Sequence, residues 1–483
     1  MSKKYDLPDW VLVHKIKGRS VKVKGNNYYL YEQKCIYDKK RKHKNYTTET
    51  YLGRITKENG FIPAKSNSVL YPERITSKVF GPFSLINNLC EDILGRLANS
   101  FGEKNGEKIF TIAALRTIEN NPYYNLEDAY EESYASVLYK NLSMSKSSLC
   151  DFLHDLSRHK ESFKIFMRED FEKDETLIFD GTNILCGSQN ISYSASGYKH
   201  GHNYSSQVTP LYAYSATKKK MVYYKLNEGS VSDAKSLTDI INEMSLKSAV
   251  AILDNGFSST DNIQGLLENK TNYLIALRRD SAFVTDEILN DATHLLAKEK
   301  FTNNKEAIFA YEVKAPDNTR ICIYFNQTIK GVETTEYLDK MSKGWKGYTQ
   351  DGFIKAQQRF GIFIIKTNTD FNLQKIYELY KSRFEIEYVF DSIKNTLNFD
   401  KSWMHSDKSL ESWMFINHIS IMMMQRVYDS VKEKKLNLSL NSLFKKLRRI
   451  VKQRYINTVD DSYVLEVVPK KVREIAEKLG VIS

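Results

Sequence analysis

One stretch of 27 residues, 372–398, constrains the fold of this chain more than any other. It reads NLQKIYELYKSRFEIEYVFDSIKNTLN, contains neither proline nor glycine, and repeats its apolar residues at helical spacing. We therefore predict one long amphipathic helix. Its predicted buried face consists of Leu379, Ile386, Val389, Phe390, Ile393 and Leu397. The whole chain has 483 residues, which is enough to bury a large core and to form two to four domains.

A stripe of polar side chains follows the edge of that predicted face. At about 100° per residue, its members fall within roughly 60° of one another. They are Tyr380, Arg383, Glu387 and Lys394. An ion-pair ladder on a solvated helix would produce the same pattern. The spacing also resembles the Y-x2-R-x3-E-x6-K signature of the IS4-like DDE transposases, and every interval is met. A two-metal site of the kind used by these enzymes also needs carboxylates from separate upstream elements.

The first upstream carboxylate interrupts an apolar strand. Residues 176–186, TLIFDGTNILC, predict a strand that carries Asp180. An aspartate among Leu, Ile and Phe is costly to bury unless it ligates a cation or is fully hydrogen-bonded. Asp180 could also accept backbone hydrogen bonds across the turn at Gly181. Both interpretations fit this segment.

The second upstream carboxylate ends another short buried strand. Residues 248–257, SAVAILDNGF, predict a strand that stops at Asp254, before an Asn-Gly turn. In a mostly parallel sheet, ligand sites form at the carboxyl ends of strands. The predicted neighbours are a hairpin over 208–226, a helix from Asp233, a helix over 259–270 and a strand over 273–277.

Taken in order, these elements resemble a ribonuclease H-like fold. In that family the first Asp lies on the first strand, the second at the end of the fourth, and Glu on a later helix. The chain is most similar to the IS1634-type group of the IS4-like DDE transposases, including the Asp-Gly-Thr and Asp-Asn-Gly-Phe contexts. The resemblance implies that Asp180, Asp254 and Glu387 are catalytic and bind metal. On the same stripe as Glu387, Arg383 and Lys394 are placed to hold DNA phosphate oxygens, and Tyr380 can hydrogen-bond to or stack on the strand terminus.

The resemblance further implies an activity and its cofactors. The chain would be a DNA transposase of an insertion sequence, which cleaves transposon ends and joins them to target DNA by two-metal phosphodiester transfer. Two Mg²⁺ ions are implied, with Mn²⁺ able to substitute, since oxygen ligands favour hard cations. The implied partners are double-stranded DNA, as terminal inverted repeats and target, and a second copy in a synaptic homodimer. Alternatives are a ribonuclease H-like nuclease or resolvase without strand transfer, and a catalytically silent DNA-binding regulator.

The region between the second Asp and the Glu loses the alternation of strands and helices. Strand-like runs at 309–313 and 320–325 predict a β-rich insertion, and residues 361–367 predict a strand that returns to the sheet. In hairpin-forming relatives, an insertion-domain Trp stacks on a flipped base. Trp345, in the loop MSKGWKGY, matches that role by chemistry. A buried Trp that anchors a small β module is the alternative.

The two ends of the chain read differently from the core. Residues 1–65 alternate like strands, beginning at Val11–Val13, and carry a basic run at 39–44 that is either a solvated loop or a phosphate grip. Residues 81–170 read as helices, one of them capped by Ser145 or Ser147, and 443–454 reads as a basic helix.

The predicted fold class is therefore α/β, with a ribonuclease H-like catalytic core, a β-rich insertion, an N-terminal β-rich module and helical additions at both ends. The predicted domains are 1–70, the β-rich module; 71–172, a helical region that either binds the DNA ends or forms an ordinary helical layer on the catalytic domain; 173–278, the first part of the core; 279–360, the insertion; 361–425, the second part of the core; and 426–483, a basic helical region.

Charge and cysteine usage favour an intracellular DNA-binding protein. The net charge of +12 and the 12% aromatic content suit a polyanionic partner, although a basic soluble enzyme would share them. The five cysteines form no CxxC pair, which argues for a reducing compartment. No apolar run reaches membrane-spanning length. We expect a cytoplasmic, nucleoid-associated protein without membrane contact.

Overall fold

The computed structural model divides the chain into two compact units. It describes residues 7–37, 45–64, 75–170, 172, 175–197, 205–227, 233–244, 249–281, 298–384, 387, 401–455 and 463–482. The N-terminal unit comprises Met1–Ile75 and Tyr455–Asp461, and the main unit comprises Thr76–Arg454 and Ser462–Ser483. Across the described ranges, no helix is both long and apolar enough to cross a bilayer.

The N-terminal unit is a four-stranded antiparallel sheet over a small core of Val11, Leu30 and Ile55. Its elements are α1 (Asp9–Leu12), β1 (Arg19–Lys24), β2 (Asn27–Tyr37), β3 (Asn45–Thr56) and β4 (Gly60–Pro63). The strand predicted from Val11 is wrong, because Pro8 starts a single helical turn that buries Val11 and exposes Val13. The basic run 39–44 lies outside the described residues.

The main unit begins with a strand and a helical layer, in agreement with the prediction for 81–170. Ser145, one of the two predicted caps, accepts a hydrogen bond from the Ser148 amide at 3.4 Å. The layer comprises β5 (Ile75–Val79), α2 (Gly81–Leu89), α3 (Glu91–Phe101), α4 (Glu103–Ile118), α5 (Leu126–Glu132), α6 (Ala135–Leu138), α7 (Lys146–Leu156) and α8 (Lys160–Arg168).

A nine-stranded sheet forms the centre of the main unit. The elements that follow the helical layer along the chain are β6 (Thr176–Gly181), β7 (Ile184–Cys186), β8 (Ala195–Gly197), β9 (Ser205–Val208), β10 (Leu211–Ser215), β11 (Lys220–Lys225), α9 (Asp233–Met244), β12 (Val250–Leu253), α10 (Thr260–Glu268) and β13 (Asn272–Leu277). The sheet order begins β11-β10-β6-β12-β13. β6 is antiparallel to β10 and parallel to β12, which is parallel to β13. Strands β7 to β9 pair in a separate small sheet.

The inserted region is only half β-structure, so the predicted β-rich insertion needs correction. It comprises β14 (Glu299–Asn303), β15 (Glu306–Lys314), β16 (Arg320–Asn326), α11 (Gln327–Ser342) and α12 (Gln350–Ala356). The three strands extend the main sheet through β17 (Ile362–Thr367), the predicted return strand. The rest is helical, and the Asn326 side chain caps α11 by accepting a hydrogen bond from the Ile329 amide.

The long helix predicted for 372–398 is interrupted near its middle. Helix α13 (Leu373–Lys381) ends at Ser382, whose hydroxyl donates to the Leu379 carbonyl at 2.6 Å and competes with the helical ladder. Helical structure resumes at Arg383. Of the predicted buried face, Leu379 is only partly buried, and the other five residues lie outside the described ranges.

The chain ends around a 27-residue buried helix. The last elements are β18 (Lys401–Ser402), α14 (Asp407–Glu433), α15 (Leu440–Leu447), β19 (Val451–Tyr455), β20 (Tyr463–Leu465) and α16 (Lys470–Lys478). The Phe415 ring of α14 stacks on Phe163 with centroids 4.2 Å apart, which holds the helical layer. The helix predicted over 443–454 stops at Leu447. The residues after it pair in a three-stranded sheet with β5 and β20 instead.

Candidate active site

Strand register brings the first two predicted carboxylates to the same edge of the sheet. β6 and β12 are parallel neighbours, and Phe179 pairs with Leu253. Asp180 and Asp254 each follow one member of that pair. The apolar residues that precede both aspartates are buried, whereas Asp180 is the next-to-last residue of β6 and Asp254 directly follows the end of β12. The sheet therefore sets the two side chains side by side.

Each aspartate also accepts a hydrogen bond from the backbone amide of the residue that follows it. Asp180 Oδ1 accepts a hydrogen bond from the Gly181 amide at 3.0 Å. Asp254 Oδ1 accepts one from the Asn255 amide at 2.6 Å. Gly181 is still part of β6, so Asp180 accepts a backbone hydrogen bond although the predicted turn at Gly181 is not present, and this bond is compatible with a ligand role because a carboxylate has two oxygens.

Arg383 joins the sheet edge to the helix that carries Glu387. Its Nη2 donates to Glu387 Oε1 at 2.6 Å, and its Nη1 lies 3.4 Å from Asp254 Oδ2. The Arg383 side chain is 14% exposed, against 38% for Asp254 and 42% for Glu387. One mostly buried guanidinium therefore sits between two carboxylates that solvent and ligands can reach.

The pKa of Arg383 reports that all three acids act on one place. Burial by itself lowers the pKa of this guanidinium. The pKa is nevertheless raised overall, through the charges of Tyr380, Asp254, Glu387 and Asp180. Burial raises the pKa of the Tyr380 hydroxyl, and the same three carboxylates raise it further. Three acids from distant parts of the chain share one electrostatic environment.

Tyr380 lies deeper than the stripe at the helix edge predicted. Its side chain is buried, and its ring lies 4.9 Å from that of Phe363 on β17. The Arg383 guanidinium lies 6.0 Å from the Tyr380 ring. The buried Tyr380 ring therefore lies beside the Arg383 guanidinium and helps to position it. Phe363 was not singled out from the sequence, because alternation within residues 361–367 indicates a strand but not its neighbours.

The donor chemistry of the site suits a hard divalent cation. Asp180, Asp254 and Glu387 supply only carboxylate oxygens, which Mg²⁺ and Mn²⁺ prefer. Among the residues that the structure describes, no three His, Cys, Asp or Glu side chains are arranged to hold a metal ion. Arg383 instead neutralises two of the acids. The residue types suit a divalent cation. In the present arrangement, the positive charge between Asp254 and Glu387 is the Arg383 guanidinium.

Two other predicted residues lie apart from this arrangement. Lys394 falls outside the described residues. Trp345 is 56% exposed, in the turn after α11, where its amide donates to the Lys340 carbonyl. The alternative of a buried anchoring Trp is therefore wrong. The flanking Gly344 and Gly347 adopt φ of 68° and 92°, which explains the glycines in this loop.

Comparison with known proteins identifies one family. Residues 172–423 match the model of the family described as Transposase DDE domain, which covers 252 of the 483 residues. The match includes Asp180, Asp254, Arg383 and Glu387. Among curated proteins, no similar sequence was found.

Solved structures show weaker similarity. The piggyBac transposase synaptic complex with hairpin DNA aligns at 10% identity over 77% of this chain and 80% of its own, with a TM-score of 0.40. A Mos1 transposase paired-end complex with the left transposon end aligns at 10% identity over 55% and 79%, with a TM-score of 0.15. A pre-cleavage Mos1 transpososome aligns at 12% identity over 59% and 81%, with a TM-score of 0.16.

Proposed function

Because the chain belongs to the family defined by the transposase DDE domain, we propose that it is the DNA transposase of an insertion sequence. It cleaves transposon ends and joins them to target DNA. The observation that carries this proposal is the convergence of Asp180, Asp254 and Glu387 on Arg383. Acids from two strand ends and a helix are what phosphodiester transfer with two cations requires.

A ribonuclease H-like core, and membership of the IS4-like, IS1634-type group, are the finer parts of the proposal. The strand order β11-β10-β6-β12-β13 supports the first, with its three antiparallel strands followed by parallel ones. The Y-x2-R-x3-E-x6-K spacing from Tyr380 to Lys394 supports the second. We also assign binding of the transposon ends to the helical region 71–172 and leave the other predicted domains as given above.

Asp180, Asp254 and Glu387 would hold two divalent cations, Mg²⁺ or Mn²⁺. Such ions, when bound, activate water or a 3′-hydroxyl and stabilise the leaving oxygen during in-line displacement. Loading the site requires Arg383 to release Asp254 and Glu387. Its guanidinium is then placed beside the acids to take a phosphate oxygen in a bidentate contact. Tyr380, being buried, positions Arg383.

The remaining partners follow from this activity. Lys394 contacts phosphate, and the exposed Trp345 offers a ring on which a base of the DNA can stack. The DNA partners are the terminal inverted repeats and a target duplex, held by a homodimer in the synaptic complex. The site of action is the cytoplasm, at the nucleoid.

A joining assay tests this function against its alternatives. The full-length protein is incubated with a labelled transposon-end fragment, Mg²⁺ and a target plasmid. We expect a labelled product joined to the plasmid, and we expect Asp254→Asn to abolish it. Nicked or cut DNA without joining would establish a nuclease or resolvase instead. Binding of the end fragment without any cleavage would establish a DNA-binding regulator.

A further inference from the structure

Nearly all the net positive charge of the chain is concentrated in its first 75 residues. They contain 17 Lys and Arg against 7 Asp and Glu, a net charge of +10 out of the total of +12. This stretch matches the main segment of the N-terminal unit, Met1–Ile75. With the two aspartates of Tyr455–Asp461 included, the whole N-terminal unit carries a net charge of +8, which attracts polyanions in preference to other partners.

One face of the N-terminal sheet carries aromatic and basic side chains. Antiparallel register places Lys22 opposite Tyr29, Tyr29 opposite Arg54, and Tyr31 opposite Tyr51. Side chains alternate along a strand, so these residues and Lys24 share one face. We call this set, Lys22, Lys24, Tyr29, Tyr31, Tyr51 and Arg54, the tyrosine face.

A β-bulge brings Tyr51 onto this face. The register of β2 and β3 shifts between Leu30 and Tyr31, so that Leu30 pairs with Gly53 and Tyr31 with Tyr51. The skipped residue, Leu52, packs against the apolar core instead. Gly53 adopts φ of 151°, and a Cβ there would lie 2.2 Å from the Ile62 carbonyl oxygen. Only glycine fits, and the bulge exchanges a leucine for a tyrosine on the outer face.

The three tyrosine rings form a continuous surface. Tyr51 lies 5.3 Å from Tyr31 and 6.0 Å from Tyr29 between ring centroids, with tilted planes. Tyr51 is 42% exposed. Lys22 lies 4.9 Å from the Tyr31 ring and also pairs with Glu49, which compensates one charge of the face. Lys24 and Arg54 are exposed.

The apolar core of this unit lies on the opposite side of the sheet. Val11, Leu30 and Ile55 are buried there, with Trp10, Val21 and Tyr28 packed around them. Cross-strand tyrosine pairs do stabilise sheets. That role alone needs neither a bulge that moves the leucine inward nor lysine and arginine around the rings.

We infer that the tyrosine face binds single-stranded DNA. Every base has a π-face, so a row of tyrosines stacks unpaired bases without regard to sequence, while flanking cations track the phosphates. In a duplex the bases are already stacked on each other, and only the phosphates would be available. The inference rests on the proposed function, since cutting and joining DNA frees strand ends that must be held.

The test measures binding of a labelled oligodeoxythymidine to the full-length protein by fluorescence anisotropy. Stacking of two bases implies that Tyr31→Ala combined with Tyr51→Ala raises Kd roughly 30-fold. Tyr31→Phe with Tyr51→Phe keeps the rings and stays within about threefold of the wild type. Tyr428→Ala is the matched control, because Tyr428 on α14 is 41% exposed. It should leave Kd unchanged.

Several results would overturn the inference. Unchanged affinity in the double alanine variant is one, and equal loss in the Tyr428 control is another. Duplex of the same length bound more tightly than the single strand would indicate phosphate contacts without stacking. A tighter complex with oligouridine RNA would identify a different ligand.

Photocrosslinking covers the case in which the double alanine variant misfolds. Wild-type protein is crosslinked to an oligonucleotide that contains 5-iododeoxyuridine, and the modified peptide is identified. Crosslinks at Tyr29, Tyr31 or Tyr51 support the inference, and crosslinks confined to the main unit overturn it.

The two proposals can fail separately. If wild-type protein joins DNA while the tyrosine variants bind strands normally, the transposase function stands and the tyrosine face has another use. If the tyrosine variants lose strand binding while wild-type protein joins nothing, the face stands and the function fails.

Discussion

The N-terminal unit and the main unit use their residues in opposite ways. The N-terminal unit, residues 1–75 and 455–461, carries a net charge of +8, whereas the main unit holds 54 basic and 50 acidic residues, a net charge of +4. Within the described ranges, the N-terminal core has three buried apolar residues, whereas the main core extends through sheet and helices. Most of the net positive charge, whose self-repulsion would destabilise a compact unit, thus lies on the small unit with a large share of surface. The two proposals therefore assign the holding of DNA and its cleavage to separate units.

The largest expected effect separates these tasks at the site. Asp254→Asn keeps the shape of the side chain but removes the charge that faces Arg383. We expect DNA joining to fall by at least roughly 10²–10³-fold, as for loss of one group that stabilises charge in a transition state. Oligodeoxythymidine binding should remain at the wild-type level. Loss of both together would mean that the two units are not independent.

A core substitution should affect only the main unit. Phe415 is fully buried and stacks on Phe163. Phe415→Ala should lower the free energy of unfolding of the main unit by about 3–5 kcal/mol. Trp10 is the one Trp among residues 1–75, so fluorescence of a variant that keeps only this Trp reports the N-terminal transition. A shift of that transition by the same amount would break the comparison.

Acid should also destabilise the main unit selectively. Burial lowers the pKa of His418 from 6.5 to about 4, with the charges of Asp170, Arg96 and Lys220 acting on it more weakly. In the described part of the chain, neither ring nitrogen has a hydrogen-bond partner. The unfolded chain then binds a proton that the folded chain does not, so stability falls as pH falls from 6.5 to 4.

The size of that effect follows from the shift, at roughly 3 kcal/mol between neutral pH and pH 4. His418→Phe should flatten this part of the pH profile of unfolding measured with urea. The Trp10 transition of the N-terminal unit serves as the internal control. An unchanged slope in the variant would assign the acid sensitivity to other groups.

The smallest expected effect concerns α13, the helix that carries Tyr380 of the site. The Asn372 side chain accepts a hydrogen bond from the Lys375 amide at 2.8 Å and caps α13. Asn372→Ala should cost about 1 kcal/mol of main-unit stability, and Asn372→Ser should restore most of it. Thermal unfolding of both variants measures the difference. Equal destabilisation by Ala and Ser would point to packing instead of capping.

The local elements of the core were predictable because their signals are local. Apolar runs that end in Asp180 and Asp254 read as strands, and both strands are present. The Ser145 cap and the return strand over residues 361–367 were also predictable, from a serine before a helical period and from β-branched residues. The strand predicted at Val11–Val13 was wrong, since a short apolar run fits a helix and a strand equally well until a neighbour buries one side. The helix predicted over 451–454 was wrong because these residues pair with distant strands in the sheet β20-β19-β5.

The sequence by itself determined which acids could form a site. The signals are local: apolar residues lead into Asp180 and Asp254, and fixed intervals separate the residues from Tyr380 to Lys394. Tertiary structure alone decided that Arg383 lies between Asp254 and Glu387, that Tyr380 is buried against Phe363, and that a bulge turns Tyr51 outward. These outcomes depend on strand register and on packing between distant segments. Periodicity along one segment does not specify either.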